Sequence, residues 1–303
     1  MRTRWLLCIR HHITIAKLAF STKILFSIGG LGNQLFVFNF AHRLLEQGAK
    51  KVVILNSWHN NNSERPFQLD LIKSNCSHNI SFSDNLFIYK AFRLLIRVAS
   101  RVNRDFTISR KFRVYIEGSS TSSNKFENFK FFSGYFQDYC LFPKSSVFLD
   151  EFETTVTDVY EKLLSTLSVE FSDTFQAIHV RRGDYISHRE TFGILALDYF
   201  KDQIKEDIPL LVLSEEPLNY AFLKNSKSLL QIPDSLTPWQ LMSVLCQASF
   251  LAGSNSTFSF WPVFYLASKG RQASIPTPWF RNHPEYLPNL NSQGLITHPA
   301  VWE

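Results

Sequence analysis

The segment FQAIHVRRGDY (175–185) runs an apolar stretch straight into two arginines, a glycine, an aspartate and a tyrosine. Neighbouring side chains of an extended chain point to opposite sides, so Arg181 and Arg182 cannot both face one ligand if the strand continues through them. One guanidinium can present its planar fork to a phosphate in bidentate fashion. The other is then expected to turn inward to a carboxylate. Asp184 is the nearest, and Gly183 permits the turn between them. A structural Arg–Asp pair closing a loop is the plainer alternative. Position favours a ligand, because loops at the C-terminal ends of buried strands are where α/β folds bind them.

Three further segments carry chemistry of the same kind. In SIGGLGNQLF (27–36) a strand leads into a glycine-rich turn and then a helix, with Asn33 the expected N-cap. Such a turn lets backbone approach a ligand and aims free amides at an anion. Gly30 and Gly32 fit the first two positions of the dinucleotide fingerprint, but the third falls on Leu35, so a plain βα turn stands as the alternative. In AGSNSTFSFWPVFYLASKG (252–270) Ser254, Asn255, Ser256, Thr257 and Ser259 can cap a helix, and the donors exposed there suit a phosphate. Pro262 places the start of the regular helix late. Ordinary capping is the competing reading. After PLLVLS, Glu215 and Glu216 can accept from ribose hydroxyls or base N–H groups, or are surface charge.

The elements that must hold these groups are legible as short apolar runs: KILFSI (23–28), KVVILN (51–56), FQAIHV (175–180), PLLVLS (209–214), SLLQI (228–232) and ASFLAG (248–253). Helix-period segments lie between several of them. QLFVFNFAHRLLEQ (34–47) is closed by Gly48, and TPWQLMSVLCQ (237–247) opens on a Thr-Pro start signal. The alternation predicts α/β architecture with mostly parallel sheets. The helical segment 150–168 has the character of a connection between two halves, and GSSTSSNK (118–125) reads as a loop.

At 303 residues, with 45% hydrophobic and 15% aromatic content, the chain can build a substantial core. A net charge of +6 favours anionic partners without choosing among them. Residues 1–22 form a basic leader with no acidic residue before Glu46 and no apolar run long enough for a membrane helix. A cytoplasmic chain whose leader suits peripheral membrane contact is expected; a targeting peptide or a misplaced start is the alternative. Arg93, Arg97 and Arg101, with Arg104 close by, share a helix face. The expectation is a solvated face opposite Leu94, Leu95 and Val98, and the sharper reading is an anionic membrane or lipid surface. Aromatic interleaving of an RNA-binding type is absent, so no nucleic-acid partner is expected. The four cysteines lack metal-ligand spacing. There is no P-loop, HExxH, Gly-x-Ser-x-Gly or Asp-x-Asp motif; a bound diphosphate would be neutralised by arginines and helix N-termini.

Together GGLGNQLF (29–36), GYFQ (134–137), HVRRGDY (179–185), LSEE (213–216), LMSVLCQASFLAGSNSTFSFW (241–261) and IPTPWF (275–280) resemble the α-1,2-fucosyltransferases of glycosyltransferase family 11. The likeness runs in order from about residue 23 to 281. It implies a GT-B-type fold of two Rossmann-like halves facing a cleft: residues 23–150 on the acceptor side and 151–303 binding GDP-fucose. It implies inverting, metal-independent transfer of L-fucose to O2 of a terminal galactose on an oligosaccharide or polysaccharide, without a cofactor. Arg181 would contact the diphosphate and Arg182 would also bind the donor; His179 and Asp184 would hold the loop and help shape the nucleotide pocket. The turn at Gly30, Gly32, Asn33 and Gln34 would approach the donor from the other half. Asn255, Ser256, Thr257, Phe258 and Ser259 would add phosphate contacts, and Glu215 would sit near the guanosine. Asp184 and Glu190 are candidates for the base. The chain departs from the family where two aspartates are Glu215 and Glu216, at Val37 and Phe38, and at Pro262. A fucosyltransferase of another linkage, a non-catalytic binding relative and a basic-surface adaptor are the rival readings.

Overall fold

The computed structural model describes residues 22–73, 78–102, 113–117, 126–166, 174–215, 229–230, 235–282 and 295–303. The leader up to Ser21, the 118–125 loop, Arg104 and Glu216 lie outside the described residues. The chain divides into two compact units, Met1–Phe148 and Leu149–Glu303.

In the first unit the order is β1 (Thr22–Phe26), α1 (Leu31–Glu46), β2 (Lys51–Leu55), α2 (Asp70–Lys73), β3 (Ile80–Ser83), α3 (Leu86–Val102), β4 (Val114–Ile116) and β5 (Phe131–Ser133). The strands form one sheet in the order β3-β2-β1-β5-β4, parallel throughout. α1 is buried on nearly every side, as a helix apolar all round must be. It ends where the sequence places the stop, with Gly48 at φ +92°. Phe40 stacks on Phe136 with centroids 4.2 Å apart. The buried Lys23 amine donates to the carbonyls of Phe126, Glu127 and Phe129, fixing the approach to β5; burial lowers its pKa to about 8.

The buried side of α3 is Tyr89 and Phe92, with Ile88 and Ile96 packed against the same cluster. Leu94 and Val98 are instead exposed. The expected stripe is therefore rotated: Phe92 stacks on Phe26 at 3.9 Å, and that aromatic contact sets which line of the helix faces inward.

The second unit begins in α4 (Val147–Thr166), which starts at the boundary. There follow β6 (Gln176–Val180), a 3-10 turn (Gly183–His188), α5 (Arg189–Phe192), α6 (Leu197–Lys201), β7 (Leu210–Ser214) and β8 (Leu229–Leu230). Then come α7 (Pro238–Leu245), β9 (Phe250–Ala252), α8 (Thr257–Ser268), β10 (Gln272–Thr277) and β11 (Ile296–Pro299). The sheet order is β11-β10-β9-β6-β7-β8, again parallel. All five residues of β6 are buried, which a central strand covered on both faces requires. Beneath its end lie Ile178, Val180, Tyr199, Phe200 and Leu210.

The expected α/β class is present: each unit is a parallel sheet alternating with helices in the Rossmann-like manner. Two helix starts differ from expectation. α1 begins at Leu31 with Gly30 as its N-cap, so Asn33 lies inside the first turn: extended backbone at Gly30 (ψ 179°) opens the helix without a side-chain cap. α8 begins at Thr257, and Pro262 sits inside it. The ring removes one possible bond to the Phe258 carbonyl; the full burial of Trp261, Val263 and Leu266 offsets that loss. The Thr237 capping box starts α7 as read from sequence.

Candidate active site

In the second sheet the chain runs from β6 outward to β7 and β8, then returns to lay β9 on the other side of β6. The order reverses between β6 and β9, and in open α/β sheets ligands bind at the carboxyl ends of the strands flanking such a reversal. Arg181 follows β6 directly, and Gly253–Ser256 follow β9. The motifs HVRRGDY and AGSNSTFS therefore meet at this point because of strand order.

Arg181 is held by two carboxylates. One terminal nitrogen donates to Asp184 Oδ1 at 2.7 Å and the other pairs with Glu215. The guanidinium lies over the Tyr185 ring, 5.4 Å from its centroid. Its Nε–H is buried and has no acceptor among the described residues. Arg182 takes a different partner, Glu303, whose two oxygens receive its terminal nitrogens. This reverses the expected division. Arg181, not Arg182, binds Asp184, because the strand ends at Val180 and the turn from Gly183 brings the aspartate back beneath Arg181. Glu215, expected near a nucleoside, here spends its carboxylate on Arg181.

The loop is laced to the start of α8. Tyr185 Oη donates to the Asn255 carbonyl (2.9 Å), and Asn255 Nδ2 donates to the carbonyls of Phe192 (2.9 Å) and Gly193. Phe192 packs on Tyr185 and on Phe280 of the IPTPWF segment. Gly193 has φ +77° and no room for a side chain against Trp302. Ser256 caps α8 by accepting from Phe258 N–H. Ser259 is fully buried, its hydroxyl donating to the Ser254 and Ser256 carbonyls, so it builds the cap from inside. Thr257 and Phe258 are half-buried at the helix N-terminus. Glu190 is exposed on α5 and lines an open pocket of about 490 Å³ with Arg189, Ile194, Arg281, Asn282 and Glu303.

His179 is buried, with Nδ1 3.4 Å from Ser254 Oγ and its ring against Phe258. Burial first, and the Arg181 charge second, lower its pKa to about 3. The unfolded chain protonates near 6.5, so between pH 6.5 and about 3 the unfolded state holds one more proton. Stability is complete above 6.5 and falls through that window by about 1.4 kcal/mol per pH unit. Denaturant midpoints measured against pH should show this acid limb, and His179→Gln should flatten it by one proton.

The first unit has a reversal of its own, but there β4 lies at the edge and β5 returns beside β1. Its order reverses between β1 and β5, and the turns following them are GGLGNQ and GYFQ. Gln137 Nε2 donates to Asn33 Oδ1 across this point (3.2 Å). Gln34 is buried and engaged: its amide donates to the Gly29 and Pro66 carbonyls and accepts from Gln68 N–H. Gly32 is buried in α1. Sequence reasoning overlooked four residues here. Gly29, rather than Gly30, is the left-handed glycine (φ +84°). Ser27 and the buried His59 form a pair at 3.0 Å, with His59 Nδ1 2.7 Å from the Arg65 carbonyl. Glu117 accepts the N–H groups of Tyr135 (2.6 Å) and Phe136 (2.7 Å), shaping the GYFQ turn, and burial raises its pKa. The signal for Gly29 was the Gly-Gly pair itself; Glu117 and His59 stand in no recognisable pattern.

A Cβ on Gly29 would lie 2.5 Å from Asn33 Nδ2, whereas one on Gly30 meets nothing within 4 Å. Gly29→Ala should therefore destabilise by about 1–2 kcal/mol or more, the cost of a left-handed L-residue. Gly30→Ala should stay within about 0.5 kcal/mol of the parent. Chemical denaturation of both variants checks the contrast.

Among the described residues no three His, Cys, Asp or Glu side chains converge on a metal-sized site, and no helix is long and apolar enough to cross a membrane.

No family model matches the chain, and no curated relative matches it. Among solved structures it is similar to apo POFUT1 (10% identity, TM-score 0.45, covering 84% of this chain and 97% of that one). It is also similar to NodZ alpha-1,6-fucosyltransferase soaked with GDP-fucose (11%, 0.42, 80% and 92%) and to a family 9 glycosyl transferase from Veillonella parvula (10%, 0.40, 92% and 85%). Each likeness is distant.

Proposed function

We propose that the chain is an inverting glycosyltransferase that moves L-fucose from GDP-β-L-fucose to O2 of a terminal galactose in a glycan, without a metal. The observation that carries this reading is Arg181. It stands at the strand-order reversal of the second unit, clamped by Asp184 and Glu215, with a buried N–H still seeking an acceptor. The motif set resembling family 11 supplies the sugar and the linkage.

In the reaction the acceptor hydroxyl oxygen bonds to the anomeric carbon while the bond from that carbon to the diphosphate oxygen breaks. The bonding pair leaves with GDP, and the hydroxyl proton passes to a base or to water. Negative charge grows on the diphosphate, and a preorganised cation there lowers the barrier. Arg181 supplies that cation, and the α8 N-terminus at Thr257 supplies the helix dipole, the Phe258 N–H being taken by the Ser256 cap. Asp184 holds the guanidinium through its own ion pair, which leaves the exposed Glu190 as the freer candidate for proton acceptance.

The test is to incubate the protein with a panel of nucleotide sugars and galactosides, with and without EDTA, and to map the product linkage by NMR. GDP release only from GDP-fucose, an α1,2 product and a rate indifferent to EDTA are expected. GDP binding without turnover on any acceptor would leave a non-catalytic binding protein instead, and a different linkage would retire the O2 assignment alone.

A further inference from the structure

Helix α3 has three distinct sides. One is packed on the first sheet through Tyr89 and Phe92. A second carries Phe87, Leu94 and Val98, which at 3.6 residues per turn fall on a single line with Ala91; they are 82%, 62% and 42% exposed. The third, beside that line, presents Lys90, Arg93 and Arg97, all exposed. The helix contains no acidic residue. Single exposed apolar residues are ordinary on protein surfaces. A continuous apolar line bordered on one side by cations only is a different pattern, and it needs a partner that is apolar in depth and anionic at its edge.

We propose that α3 docks this side onto an anionic lipid bilayer, lying in the plane of the interface. Phe87, Leu94 and Val98 enter the boundary between headgroups and acyl chains, while Lys90, Arg93 and Arg97 stay level with the lipid phosphates. The complementarity selects this occupant over the others. A nucleic acid would take the cations but leave the apolar line in water. A second copy of the same face would set cation against cation. The inference is independent of the sugar-transfer reading, since vesicle binding and turnover on soluble substrates are separate readouts.

The full chain is sedimented with vesicles of equimolar phosphatidylcholine and phosphatidylglycerol, and with vesicles of phosphatidylcholine alone. Binding to the mixed vesicles only is expected. Lys90→Glu should weaken it by about fivefold or more, the worth of one interfacial cation. Phe87→Asp should weaken it by about tenfold or more, from the lost burial of the ring. Both side chains are exposed, so melting and turnover on a soluble galactoside should be unchanged. Several outcomes would overturn the proposal: no binding by the parent chain, equal binding to uncharged vesicles, or mixed-vesicle binding that both variants retain. So would a dimer detected by light scattering that Phe87→Asp dissolves while vesicle binding is missing.

Discussion

Arg181→Ala should lower kcat by about 10²–10³, the usual loss when one preorganised charge-stabilising donor is removed. The fold should survive. The two carboxylates that the guanidinium now holds, Asp184 and Glu215, are 41% and 43% exposed and remain hydrated without it. Arg181→Lys should restore little, because an ammonium cannot hold Asp184 with one nitrogen and meet a phosphate with another in a fixed plane. The measurement is GDP release from GDP-fucose with a galactoside acceptor, alongside a thermal melt. Turnover near that of the parent in either folded variant would remove Arg181 from the chemistry.

The second large effect is structural. Asn255 is fully buried, and its amide nitrogen donates to the carbonyls of Phe192 and Gly193. Asn255→Asp would set a buried carboxylate against those two carbonyl oxygens. Leaving a buried charge unpaired costs about 3–5 kcal/mol, so the melting temperature should fall by about 6–20 °C. Asn255→Ala removes the donor without adding charge and should cost about 1–3 kcal/mol. The ordering of the two variants is the diagnostic result: a buried amide that only fills space would give the reverse. Both variants keep the main-chain carbonyl that receives the Tyr185 hydroxyl but lose the side-chain bonds to Phe192 and Gly193, so the Arg181 loop should loosen at that end and turnover should fall with stability.

Much of this architecture was written locally. β1, β2, β6 and β7 are largely apolar runs followed by turn residues, which is how strands covered on both faces read. β3, β4 and β5 escaped notice because they are three or four residues long, too short for a period to emerge. β10 carries Pro276 within QASIPT, which argues against a strand until its neighbours are known.

The candidate site was legible in its residue types and not in its pairings. A run such as HVRRGDY announces cations at a strand end, but Arg182 finds its carboxylate 121 residues away and Arg181 its second 34 residues away. Tertiary structure alone brings those partners in. The same holds for Glu117, which organises the GYFQ turn from a separate strand end. At α1 the error was one of mechanism: asparagine in a Gly-Asn turn suggests a side-chain cap, whereas the backbone of Gly30 suffices.

The most direct test of the account is a crystal structure of the protein with GDP. It should place the diphosphate against the Arg181 guanidinium and the N-terminus of α8, with Glu215 displaced from that arginine. A diphosphate bound elsewhere, while Arg181 keeps both Asp184 and Glu215, would contradict it.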